Sequence, residues 1–207
     1  MSTDSPPLPP ARERLLAAAT DMVRAQGYAG TSVDALCAAA GVTKGAFFHH
    51  FPSKEALAVA AAARWREHAD ALFGAAPCMA LPDPLDRVLG YIDLRTAMLD
   101  GPVEGFTCLA GTMVQEAYTT SPAIRSACES SIFGHAKLLE ADLDAAIRDR
   151  GVEGVTAAGL AAHIQAVLQG AFVLAKARGE AAIARDSARH LRRYFEFLFG
   201  VERESEQ

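Results

Sequence analysis

The chain has 207 residues, 51% of them hydrophobic, and a formal net charge of −5, enough to enclose a sizeable core. Without a run of about twenty uncharged apolar residues, no membrane span is expected. The opening MSTDSPPLPPARE has neither a basic nor an apolar leader segment, so no secretory signal and a cytoplasmic location are expected.

Prolines at positions 6, 7, 9 and 10 predict a flexible arm over residues 1–10. A first helix follows over 11–26, with Leu15, Ala19, Met22 and Val23 on its inner face and Gly27 ending it. Thr31-Ser32-Val33-Asp34 reads as a helix start, with a hydroxyl cap at Thr31 and a carboxylate three positions on. Val33, Leu36, Cys37 and Ala40 share one face of that second helix, and Gly41 stands where a left-handed terminal residue is needed. Thr43 caps a short third helix over 44–50. A fourth starts at Ser53-Lys54-Glu55, with Leu57, Ala61, Trp65, His68 and Leu72 as its inward stripe, and Gly74 and Pro77 break it.

Further helices are predicted over 84–100, 106–118, 122–150, 156–178 and 183–199, separated by Gly101-Pro102, Ser121-Pro122 and the glycines at 151 and 154. Nothing alternates with period two over a useful length. The fold class is therefore all-α, with about nine helices. The expected organisation is the arm 1–10, a three-helix head at 11–52, and a body at 53–207 whose segment 53–74 connects the two.

The stretch TSVDALCAAAGVTKGAFFHHFPSKEAL, residues 31–57, sets two short helices and a tight turn at a spacing that suits a DNA groove. Gly45 and Ala46 leave the front of the third helix almost bare, so backbone amides there can approach phosphate and base edges. Residues 1–68 carry seven Lys and Arg against six Asp and Glu, and the remainder carries thirteen against nineteen. A near-neutral head on an acidic body turns the head toward phosphate.

At these residues the chain resembles the TetR/AcrR family of transcriptional regulators. Gly27-Tyr28, Thr31, Ala40-Gly41-Val42, Lys44-Gly45, Phe51 and Lys54 fall at the family's spacing. One departure is Phe48, where the family usually has Tyr, so a phosphate contact passes to His49 or His50 or is missing. The resemblance implies that Lys44, Gly45 and Ala46 approach base edges and that Thr43 caps the recognition helix and meets phosphate. It implies that Phe48 touches a sugar or a thymine methyl, and that His49 and His50 reach the backbone or a base edge. Lys54, Thr31 and Ser32 become phosphate contacts, while Phe47 and Phe51 pack the head.

The resemblance also implies a homodimer on an inverted-repeat operator in double-stranded DNA, and a small-molecule effector held in the body. Ile164, Val167, Leu168, Ala171 and Phe172 form one candidate dimer face and Leu191, Tyr194, Phe195 and Leu198 another, with Gly170 permitting close approach. The same pattern fits a plain core face. Candidate effector contacts are Met98, Phe106, Cys108, Leu109, Met113, Gln115, Glu116, Tyr118, Phe133 and Phe172. A Met and aromatic stripe is equally a core pattern, and Glu116 and Tyr118 have ordinary surface readings.

Four cysteines without CxxC spacing support neither a zinc site nor a dithiol motif, and His49-His50 are adjacent on a helix and point apart, so no metal or cofactor is expected. No phosphate loop or nucleophile grouping points to an enzyme. The expected function is a repressor released by its effector. The alternatives are control by a protein partner, thiol modification at Cys108, or action as an activator.

Overall fold

The computed structural model describes residues 9–201, and the regular elements among them are all helical. Residues 1–8 of the expected arm lie outside the described residues. Pro10 precedes α1 (Ala11–Gln26), which ends at Gly27 with φ +85°. A side chain there would meet a second obstacle, because a Cβ on Gly27 would run into the carboxylate of Glu116. Next come α2 (Val33–Ala40) and α3 (Lys44–His50). Gly41 closes α2 in the left-handed conformation, φ 61° and ψ 43°, as the sequence leads one to expect.

The cap of α2 differs by one residue from expectation. Ser32, not Thr31, receives the Ala35 amide at 3.1 Å. Thr31 is 1% exposed, and its hydroxyl donates to the Gly27 carbonyl at 2.7 Å. Both hydroxyls are competent caps, and burial of Thr31 decides between them.

The long α4 (Lys54–Gly74) is capped by Ser53. Then follow a 3₁₀ turn, α5 (Pro84–Ala97), a one-turn α6 (Val103–Phe106) and α7 (Leu109–Ala117). The expected single helix over 106–118 is thus two, because Thr107 is extended, with φ −79° and ψ 158°, and Cys108 caps α7. The expected helix over 122–150 is also divided: α8 (Pro122–Ala136) passes through a 3₁₀ turn, 137–139, into α9 (Glu140–Arg150). Finally α10 (Ala157–Arg178) and α11 (Ala182–Leu198) pack on each other. These divisions give eleven α-helices among the described residues rather than about nine.

By length and composition α10 is apolar enough to cross a membrane, with mean hydropathy 1.5, although His163, Gln165 and Gln169 interrupt it and it is not an unbroken apolar run. Its Leu160, Ile164, Leu168, Phe172 and Ala175 are buried in the body, which accounts for that hydropathy.

Two apolar cores organise the chain. The first joins α1, α2, α3 and the first half of α4 to α7 and the start of α8, around Leu15, Phe47, Leu57, Met113 and Ile124. The second joins α5, α9, α10 and α11 to Phe73 near the end of α4. Helix α4 therefore begins in one core and ends in the other. Apolar packing continues from the head through α7, so a displacement of α7 or α4 is felt by the head's own core.

Candidate nucleic-acid interface and body cavity

In the head, Thr43 accepts the Ala46 amide at 3.1 Å and so fixes the start of α3. Phe47 is fully buried and anchors the helix, with the Phe48 ring set edge-on at 5.1 Å. The opposite face is open: Lys44, Gly45 and His49 are exposed, and Phe48 is 54% exposed. Ala46 and His50 are half-buried. The structure thus brings eight of the expected contact residues, Ser32 and Thr43 to His50 without Phe47, onto the α2–α3 unit. Lys44 pairs with Asp34 at 2.6 Å, and hydrogen bonding to that carboxylate, then its charge, raises the lysine pKa. Asp34 on α2 holds the lysine on the surface of α3.

Two expected phosphate contacts have other tasks. Thr31 is buried and turned to Gly27, so its hydroxyl does not face a ligand. Lys54 donates to the carbonyls of Tyr28 and Thr31, both at 3.0 Å, and its ammonium lies 4.1 Å from the Tyr28 ring centre. It closes the α1–α2 connection onto α4. Lysine is suited to this, as a compact charge with several donors on a flexible stem.

Several expected effector contacts lie elsewhere too. Glu116 accepts the amides of Tyr28 and Ala29 at 3.1 and 2.7 Å, which ties α7 to the head. Gln115 donates to the Gly111 carbonyl of its own helix. Leu109 and Met113 are fully buried in the first core, Phe172 is buried in the second, and Tyr118 and Phe133 are on the surface, 56% and 54% exposed.

Three expected contacts, Met98, Phe106 and Cys108, do line a cavity of about 250 Å³. It opens where the two cores meet, and Cys108 packs against both. Trp65, Leu72 and Phe73 of α4 form one wall. Of the polar lining only His68, on the expected inward stripe of α4, has a sequence signal; the others are Arg24 from α1, Arg66 from α4, Arg95 from α5, Ser131 and His135 from α8, and Gln165 and Gln169 from α10. These residues come from five helices and share no spacing, so no sequence signal assembles them.

A polar chain lies behind the cavity floor, with only His135 of its members in the lining. The Tyr91 hydroxyl and Nε2 of His135 are 2.9 Å apart, and Nδ1 of His135 lies 3.0 Å from Oδ1 of Asp70. Arg66 donates to the other oxygen of Asp70 at 3.1 Å. Burial raises the Tyr91 pKa, and burial is also the main cause that lowers that of His135. A neutral imidazole satisfies every bond, with Nδ1–H donating to Asp70 and Nε2 accepting from Tyr91. The chain links α5 and α8 to α4.

The expected dimer residues are mostly internal. Ile164, Leu168, Ala171, Phe172, Leu191 and Phe195 are at most 3% exposed and belong to the second core of their own protomer. Val167 and Leu198 are half-buried, and Tyr194 is exposed. The outer faces of α10 and α11 carry other apolar side chains: Val173 and Leu174 are 46% and 48% exposed, and Phe197 is 88% exposed. The His163 and Tyr194 rings, 5.0 Å apart, join the two helices on this side.

A capped helix-turn-helix with an open second helix, carried on an all-helical body with an internal cavity, defines a DNA-binding regulator. Residues 15–61 match the family described as bacterial regulatory proteins, tetR family, and residues 84–190 match the transcriptional regulator LmrA/YxaF-like C-terminal domain. The chain belongs to the TetR family of transcriptional regulators. It is 28% identical over 167 residues to the HTH-type transcriptional regulator LmrA of Bacillus subtilis (strain 168), covering 79% of this chain and 85% of that one. It is 30% identical over 117 residues to the HTH-type transcriptional repressor DhaR of Mycobacterium sp. (strain GP1), covering 56% and 57%. A TetR-family regulator from Agrobacterium tumefaciens shares the fold at a TM-score of 0.77 and 22% identity, over 89% of this chain and 96% of that one.

Proposed function

We propose that the protein is a cytoplasmic homodimeric repressor that binds an inverted-repeat operator and is released when a small molecule enters the cavity. The observation that carries the DNA reading is the open face of α3. Lys44, Gly45, Phe48 and His49 are exposed together on a helix anchored by Phe47 and capped by Thr43. In this reading Lys44, Gly45 and Ala46 meet base edges, Phe48 meets a sugar or thymine methyl, and Ser32, Thr43, His49 and His50 meet the backbone. Repression as the sense of control is supported by the likeness to DhaR, a protein named a repressor.

The outer apolar face of α10 and α11 is the surface for a second copy. A Cβ at Gly170 would have open space around it, so a partner helix can approach closely there. Twofold pairing sets two recognition helices on DNA and requires an inverted repeat.

The cavity is the effector site because its walls include α4, which ends in the second core and begins in the head's. A ligand that prefers the arrangement unable to bind operator by a hundredfold shifts the balance by ~2.7 kcal/mol. Thiol modification at Cys108 is a second reading, favoured by the half-exposed position of that residue on the cavity wall.

Selecting sites from a random DNA pool tests the head. The expected result is an enriched inverted repeat bound far more tightly than scrambled DNA, and weakened by ~1–3 kcal/mol in Lys44→Ala. Sequence-blind binding lost with added salt would overturn the reading.

A further inference from the structure

We propose that the cavity selects an anionic amphipathic ligand, an organic carboxylate or its equivalent, whose charge pairs with Arg95. This rests on the cavity being the effector site and adds the chemistry of what it takes. Three arginines line the cavity, and no Asp or Glu does so among the described residues.

Their circumstances differ. Arg24 donates from Nε to the Thr107 carbonyl at 2.8 Å and lies 4.9 Å from the Trp65 ring centre. Asp21 and Glu104 also act on its charge. Arg66 is held by Asp70. Arg95 has no hydrogen-bond or ion-pair partner among the described residues. Its guanidinium stands 5.1 Å from the Phe73 ring centre and 5.7 Å from that of Phe172, half-buried at the cavity wall.

A guanidinium held over two aromatic faces, beside an open space and without a counter-charge, is pre-set for a planar anion. Arginine pairs with carboxylate through two parallel N–H donors, and partial removal from water strengthens that pairing. A cationic ligand would meet Arg95 with Arg24 and Arg66 close by. A neutral one would leave Arg95 unpaired. At His135 burial does most to oppose protonation, the Asp70 hydrogen bond favours it, and the charges of Arg95 and then Arg66 oppose it. The rest of the lining suits an apolar body: Trp65, Phe73, Met98 and Phe106 supply it, and about 250 Å³ admits a compact molecule rather than a peptide.

Trp65 is the only tryptophan in the chain and lies in the cavity wall, so its emission reports occupancy. The test compares 4-butylbenzoate, 4-butylbenzamide and 4-butylbenzylammonium, titrated by tryptophan fluorescence and by calorimetry. The benzoate is expected to bind at least about tenfold more tightly than the amide, a step of ~1.4 kcal/mol. Arg95→Gln is expected to remove that preference while amide affinity stays within about twofold, and Arg95→Lys to keep part of it. Equal affinity for benzoate and amide in the unmodified protein, or a preference that survives Arg95→Gln, would overturn the anion proposal and leave the cavity as a binding site. Binding of none of the three would overturn the cavity reading with it. Should Arg95→Gln fail to fold, the unmodified protein and Arg95→Lys still decide.

Discussion

The head and the cavity floor are built on opposite terms. In the head, Phe47, Leu15, Leu16 and Leu36 are at most 1% exposed and make a dry core, and polar groups serve at its edges as caps. Behind the cavity floor the interior is polar: Tyr91 and His135 are buried, and the Tyr91–His135–Asp70 chain runs between three helices. Apolar packing fixes one arrangement, whereas hydrogen bonds beside an open volume can be exchanged for bonds to a ligand. The helix-turn-helix rests on close packing, and the exchangeable hydrogen bonds lie at the seam between the cores.

The contrast is tested most severely by removing an anchor from the dry side. Phe47→Ala is expected to cost ~3–5 kcal/mol in urea unfolding, as for other buried aromatics. Because the first core runs into α7 and α8, Trp65 emission and helical circular dichroism should report the same transition. Separate transitions would make the head an independent unit and break the picture of a shared core.

On the polar side the effect is smaller and depends on pH. Burial lowers the His135 pKa below its usual 6.5, so the unfolded chain takes up a proton that the folded one refuses. Stability is therefore present in full above about 6.5 and declines as pH falls toward the lowered value, by at most ~1.4 kcal/mol per pH unit. His135→Gln should remove this part of the slope in urea titrations at several pH values. An unchanged slope would show that His135 is not held neutral.

The smallest effect lies where the regions join. Glu116→Ala strips two acceptors from Tyr28 and Ala29 at an exposed site, and about 1 kcal/mol is expected. Hydrogen exchange should quicken at those two amides first. Unaltered exchange there would remove Glu116 as the tie between α7 and the head.

What was legible in the sequence follows the same division. The bounds of α1, the left-handed Gly41 and the Thr43 cap are written in neighbouring residues, so local signals suffice. The choice of Ser32 over Thr31 as cap depended on burial, which local signals do not carry. Glu116 reaches 88 positions along the chain to Tyr28, and Lys54 reaches 26, so nothing near either residue announces its partner. On α10 apolar residues occur on nearly every side. Periodicity therefore gave no means to tell Ile164 and Leu168, which face the core, from Val173 and Leu174, which face outward. The cavity's arginines were invisible for a related reason. Arg24, Arg66 and Arg95 belong to three helices, and each alone reads as an ordinary surface charge.

In the proposed control, cavity and operator compete through one shared structure, and thermodynamic linkage makes that competition measurable. The affinity of 4-butylbenzoate, followed at Trp65, should be determined for the free protein and for the protein saturated with its selected operator. Operator is expected to weaken benzoate binding by the same factor by which benzoate weakens operator binding. Equal benzoate affinity with and without operator would contradict it, because a cavity indifferent to DNA cannot govern the head.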